Sequence, residues 1–380
     1  MKRALVAILF VTLATRVSAH HGGGTFDRDS SVDLKGVITG ADFVNPHSWV
    51  YFDVTDENGN VKPYRCEMRS ATTLRRSGWK PEMFVPGQAV RVEGRADKFD
   101  PNSCYLTTIH FADGTSADRY GQIEKPEPAA AGRPLRLANG ELNISGDWAP
   151  EQIVMTDPRG RSGALVPLST VDQYAPGAGS IGDPTVAGQG GARQYRTREA
   201  NLTERGREAA EAFQTYTPAD NPRMRCETTS ILFDWTFDGA VNRITQRGNT
   251  ITLEYGQFGF TRTIHLDQDA HPADIEPSRA GHSIGRWDGD VLVVDTVGFA
   301  PGVLSPPILN SGSLHVVERF SMDPEAKSLT RTYVAEDPVY FTGEYRGEDT
   351  IYVADIPYHP DTCKELTFVD YSVEGQSGNE

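Results

Sequence analysis

The chain has 380 residues and carries 52 acidic against 37 basic side chains, a formal net charge of −15 at pH 7. That balance excludes the basic footprint on which phosphate-backbone binding depends, so no nucleic acid is expected as a partner, and anionic membrane surfaces are disfavoured for the same reason. Beyond the N-terminus no apolar run approaches the roughly 20 residues that span a bilayer, so no stable membrane anchor is expected once a signal is removed.

The first element in chain order is an export signal. Lys2 and Arg3 make a basic start, Ala4 to Ala14 an apolar stretch, and Val17-Ser18-Ala19 a small-residue cleavage site. Residues 1–19 are therefore expected to be a signal peptide, and the protein to be periplasmic or secreted. Cleavage after Ala19 removes Lys2, Arg3 and Arg16 and no acid, which takes the charge from −15 to −18. It also exposes His20-His21-Gly22-Gly23-Gly24 as the mature start. The remaining length suggests about two domains.

Residues 20–116 read as an OB-like domain. Five short runs alternate or are continuously apolar: Val32 to Val44, Trp49 to Val54, Val61 to Met68, Gln88 to Ala96 and Cys104 to Phe111. Asn58-Gly59 is a hairpin signal, and Ser70 is a candidate N-cap for a short helix ending at Arg76. Five strands with a helix between the third and fourth is the order of an OB-type barrel. Residues 117–141, centred on Lys125-Pro126-Glu127-Pro128, have linker composition.

Residues 142–380 read as a second, antiparallel β-barrel with a Gly/Pro-rich loop at 158–191 and one amphipathic helix from Thr203 to Phe213. From Ile231 onward short strands and tight turns alternate without helical crossovers, which predicts an antiparallel meander. The Gly146-x-Trp148 opening gives it a lipocalin-like character. The expected fold class is all-β throughout.

Four cysteines allow three pairings. Because two fall in each expected domain, Cys66 with Cys104 and Cys226 with Cys363 is the economical assignment for an exported protein. No Cys-x-x-Cys pair offers a thiolate zinc site.

Ala19-His20-His21, Phe26-Asp27, Leu34-Lys35-Gly36, Asn45-Pro46-His47-Ser48, Leu74-Arg75-Arg76-Ser77-Gly78-Trp79 and Pro86-Gly87 together resemble an uncharacterised exported bacterial domain-of-unknown-function family. The resemblance covers roughly residues 1–114, and the Gly281–Asp290 and Leu314–Arg319 segments look like a module of similar exported proteins. Neither resemblance implies an established activity. The Gly-Gly-Gly run and Cys66 depart from the usual pattern of the first domain.

Three patterns bear on chemistry. A free amine and imidazole at His20, with His21, His47 and in addition His110 as donors, would form a nitrogen-rich copper site of histidine-brace type. Gly281-His282-Ser283-Ile284-Gly285 matches a nucleophile elbow, and Gly177-x-Gly179-x-x-Gly182 a dinucleotide loop, but neither has the strand and helix context its chemistry needs. The second barrel also holds His265, His271, His282, His315, Asp295 and Glu318 beside Trp287 and Tyr333. Strand alternation puts His315 and Glu318 on opposite faces, so an acid–base pair must be assembled from different strands.

The leading expectation is an exported two-domain binding protein that chelates copper at its mature N-terminus and takes a small ligand in the second barrel. The alternatives are a hydrolase or isomerase using His282, His315 and Glu318, and an envelope interaction module with no chemical site.

Overall fold

The computed structural model describes residues 26–124, 134–178, 201–214, 219–237, 239–323, 325, 327–360 and 363. The architecture is all-β.

The first sheet is built from β1 (Phe26–Asp42), β2 (Trp49–Thr55), β3 (Val61–Glu67), β4 (Ala89–Asp97), β5 (Ser103–Phe111) and β6 (Ser116–Asp118). The pairings β1–β2, β2–β3, β3–β5, β5–β4 and β4–β1 close a five-strand ring, and only β3–β5 is parallel. This is the OB-type connectivity. The long β1 bends past a register shift between Ile38 and Gly40, which lets one strand serve both neighbours. Helix α1 (Ala71–Arg76) follows β3, and the Ser70 side chain caps it by accepting from the Thr73 N–H at 3.3 Å. The ring encloses Phe52, Leu74, Trp79, Leu106 and Ile109. Cys66 lies directly across from Cys104 on the parallel pair, and the two are disulfide-bonded.

At the start of the segment with linker composition, residues 117–120 pack against their surroundings. Ala117 and Arg119 are buried, β6 pairs with β5, and the Tyr120 N–H donates to the Pro158 carbonyl at 2.7 Å. Low apolar content hid this, because the burial is of an arginine held through its Nη atoms by the Glu67 carboxylate and by the Glu67 and Met68 carbonyls.

The second sheet region adds β7 (Gly146–Ala149), β8 (Ile153–Met155), β9 (Leu165–Pro167), helix α2 (Glu204–Ala212), β10 (Asn242–Arg247), β11 (Thr250–Glu254), β12 (Thr261–His265) and β13 (His282–Asp288). It continues through β14 (Val291–Val297), β15 (Gly302–Ser305), β16 (Ile308–Asn310), β17 (His315–Asp323), β18 (Ser328–Glu336) and β19 (Tyr345–Val353). The closed barrel runs β10-β11-β12-β13-β14-β17-β18-β19-β7. A pure antiparallel meander was expected, and the structure corrects it at one joint, because β12 and β13 are parallel. The reason is parity. Strand directions cannot alternate all the way round a ring of nine, so one parallel pair is forced, and its connection must travel from one barrel end to the other. Residues 266–281 make that return. The second disulfide joins Cys226 to Cys363.

The barrel lumen is filled. Trp235 sits inside against Tyr255 and Phe320, on the irregular segment between α2 and β10. Arg331 donates to the Ile231 and Leu232 carbonyls at 2.9 and 3.0 Å and pairs with Asp349, while Glu318 accepts from Arg262 at 2.5 Å and from Arg331 at 3.2 Å. A hollow beside this plug, bordered by Thr229, Ser230, Arg279 and Asn310, measures about 10 Å³. That holds one water.

The two sheets meet through polar contacts. Arg76 pairs with Asp355 at 2.8 Å and donates to the Pro150 carbonyl at 2.8 Å. Gln152 returns a bond to the Arg76 carbonyl at 3.0 Å, and Arg69 reaches the Ile153 carbonyl at 2.9 Å.

Candidate functional site on the outer wall of the barrel

Three neighbouring strands place polar residues on one outward face. On β14 the inward residues Leu292, Val294 and Thr296 are buried, so Asp295 points out. The register sets Asp295 opposite Ile284 of β13 and Val317 of β17. Two residues along each of those strands lie His282 and His315, which therefore share the face of Asp295. His265, at the end of β12 and opposite Ile284, completes the row.

The fourth imidazole comes from the return loop. Residues 266–281 pass over this wall, where Ile275 seats against Gly298 and Ser278 forms a bridge with Phe299. Gly298 has φ +74, and a Cβ there would meet the Ile275 side chain at 2.4 Å, so glycine is what lets the loop lie close. The loop delivers His271 between His282 and Asp295.

His271 Nε2 lies 3.0 Å from Asp295 Oδ1, and His315 Nε2 lies 3.2 Å from both Asp295 oxygens. On its other side His271 Nδ1 is 2.9 Å from His282 Nδ1. The His265 ring stacks on His282 with centroids 5.2 Å apart, and Glu336 stands 3.7 Å from His315 Nδ1. These contacts assign tautomers. With Asp295 accepting and both rings neutral, His271 carries its proton on Nε2, which leaves Nδ1 as an acceptor and makes His282 Nδ1 the donor. Burial first, then the neighbouring His271 and His265 rings, hold the His282 pKa below the usual histidine range. Asp267, Asp269, Asp274 and Glu276 on the return loop are exposed and give its surroundings a negative charge.

Of the residues singled out from sequence, His282 and His315 are brought together, through Asp295 and His271. Glu318 does not join them. It faces the lumen between two arginines, as the one-residue alternation along β17 requires. The histidines line the outside of the barrel rather than a cavity within it. Ser283 also faces inward, with its hydroxyl accepting from Arg262 Nε at 2.8 Å, so the Gly-x-Ser-x-Gly stretch is strand β13 and not an elbow. Gly179 and Gly182 lie outside the described residues.

His20 and His21 likewise lie outside the described residues. His47 follows the Asn45-Pro46 turn, and its Nδ1 is 3.3 Å from Glu67. Burial alone would raise the Glu67 carboxyl pKa, but His47 and Arg119 outweigh it and hold it at about 2. His110 is elsewhere, 2.9 Å from Glu93. As placed, no group of three or more His, Cys, Asp or Glu side chains among the described residues stands ready to hold a metal ion.

His271 and Asp295 stand in the sequence only as members of the barrel's polar set, and nothing there pairs them, because they are 24 positions apart and meet only through the return loop.

Residues 8–102 match a family of unknown function (DUF6152). The match includes β1 to β4 and the Asn45-Pro46-His47-Ser48 turn, in keeping with the resemblance to an uncharacterised domain family, and does not extend to the barrel. No curated protein and no solved structure matches the chain.

Proposed function

We propose that this is an exported two-domain binding protein and that the outer-wall cluster of His271, His282, His315 and Asp295 is its binding site. The observation that carries the reading is the continuous chain from His282 through His271 and Asp295 to His315, partly open to solvent. Such a chain holds imidazole nitrogens in fixed tautomers, ready to meet a ligand. Binding is favoured over catalysis because the lumen is packed and the cluster lies on a wall, where no enclosed pocket excludes water from a reacting group. Two disulfides fit an oxidising compartment, and no helix among the described residues is long and apolar enough to cross a membrane.

The test is ¹⁵N NMR of the histidine side chains in the metal-free protein at neutral pH. The expected pattern is His271 protonated on Nε2 and His282 on Nδ1. Rapidly exchanging tautomers at both rings, as for isolated surface histidines, would refute the cluster as a built site.

A second reading is favoured by the His47–Glu67 contact, since a carboxylate on one imidazole nitrogen is the arrangement that orients metal-ligating histidines. On that reading the mature His20 amine and ring, with His21 and His47, chelate copper. One residue added ahead of His20 should abolish a nitrogen-rich Cu(II) spectrum. Equal spectra from the native and extended proteins would remove this site.

A further inference from the structure

We propose that the outer-wall cluster takes a divalent transition-metal ion, with His271 Nε2, His315 Nε2 and the Asp295 carboxylate as ligands and a fourth position open to solvent. This rests on the reading of the cluster as the binding site and names its ligand.

As placed the three side chains do not form a group ready to hold an ion, but two of their three donor-to-donor separations are close to those of a ligand shell. In a tetrahedral zinc site with bonds of about 2.0–2.1 Å, neighbouring donor atoms stand roughly 3.3 Å apart. Here the Asp295 oxygen is 3.0 Å from one imidazole nitrogen and 3.2 Å from the other. The carboxylate now sits between the two rings as a shared hydrogen-bond acceptor, so an ion enters by replacing those two N–H protons and turning Asp295 aside.

The surrounding groups suit that exchange. Ligating histidines characteristically hand their other nitrogen to a carboxylate, a carbonyl or another acceptor. His315 has Glu336 at its Nδ1, and His271 has His282 Nδ1 at its own. The protons balance without a new charge on any ring. When the metal takes His271 Nε2, the proton there leaves to solvent. The His282 Nδ1 proton then passes to His271 Nδ1, and His282 takes a proton from solvent on Nε2. His315 moves its proton from Nε2 to Nδ1, toward Glu336. The donor set of two neutral nitrogens and one carboxylate suits zinc and its first-row neighbours. Four exposed acids on the return loop, Asp267, Asp269, Asp274 and Glu276, favour the approach of a cation.

The experiment uses the full exported protein with its disulfides intact, stripped by a chelator and titrated with Zn(II). A zinc site is expected that is weakened at least ~10-fold in His271→Ala, His315→Ala and the near-isosteric Asp295→Asn, and unchanged in a variant of the exposed His359, His359→Ala, which belongs to neither candidate site. Circular dichroism of each variant checks that it is folded. Cobalt(II) substituted for zinc should give the intense visible bands of a four-coordinate ion, and zinc loading should move the His282 proton from Nδ1 to Nε2 in the ¹⁵N spectrum. Absence of zinc binding by a protein whose free histidines show the expected tautomers overturns the metal while leaving the cluster as a binding site. Binding that survives His271→Ala and His315→Ala, or is lost only in His47→Ala, also overturns it. Free-state tautomers other than those expected count against the cluster itself, whatever zinc does.

Discussion

Glu67 is buried beside His47 and Arg119, and the two basic neighbours keep its carboxyl ionised down to about pH 2 against an ordinary 4.5. A depressed folded-state pKa contributes stability above the unfolded pKa and loses it as the pH falls toward the folded value. At about 1.4 kcal/mol per unit, the contribution near neutrality is on the order of 3 kcal/mol. Glu67→Gln should therefore be less stable than the native protein by about that amount at pH 7, with the gap closing between roughly pH 4.5 and 2. Urea unfolding at several pH values measures it, and a gap that stays constant down to pH 2.5 would refute the assignment. Glu318 shows the opposite use of a carboxylate. Two guanidiniums inside the barrel neutralise it, and that burial separates it from His315, only three residues away.

At the level of elements, the parallel β12–β13 joint is what creates the site. Strands alone bring His265, His282, His315 and Asp295 to one wall, but the bridge between His282 and Asp295 is His271, on the loop that the parallel β12–β13 joint makes necessary. The loop's seat is Gly298. Gly298→Ala introduces a side chain at positive φ and drives it into Ile275. Strain of this kind costs about 1–3 kcal/mol, and relief is cheapest if residues 266–281 lift away. The expected result is a modest loss of stability together with faster proteolysis within the loop and loss of the fixed His271 and His282 tautomers. A variant in which the tautomers persist would show that the loop is held by something other than this contact.

Among the described residues, the two largest hydrophobic cores are joined by a polar seam. One core lies inside the five-strand ring around Trp79 and the other inside the nine-strand barrel around Trp148 and Trp235. Arg76 is the hub of the seam. It comes from α1 of the first sheet and is nearly fully buried against Asp355, Pro150 and Gln152 of the second. Removing Arg76 leaves Asp355, about one-fifth exposed, with Gln152 as a remaining donor, so the loss falls below the roughly 3–5 kcal/mol of a fully buried pair. Arg76→Ala should split thermal unfolding into two calorimetric transitions, since each core retains its own disulfide and its own packing. A single transition at the native temperature would mean that the cores are coupled by contacts other than this one.

Local chemistry, read along the chain, determined much of this protein. Alternating apolar residues and Asn58-Gly59 marked the strands of the first ring, Ser70 marked the start of α1, and the distribution of four cysteines was enough to pair them. Strand alternation alone separated His315 from Glu318. What only the tertiary structure decided was closure. Whether a barrel has eight strands or nine depends on the short β7 fitting between β10 and β19, a long-range pairing without a local signature. A ring of nine requires at least one parallel pair, here β12–β13, that joint requires the return loop, and the loop carries His271 to Asp295. Packing likewise decided that the lumen would be filled by Trp235 and by the charges around Arg331. Periodicity reports that a residue is turned inward and cannot report what already occupies the space it turns into.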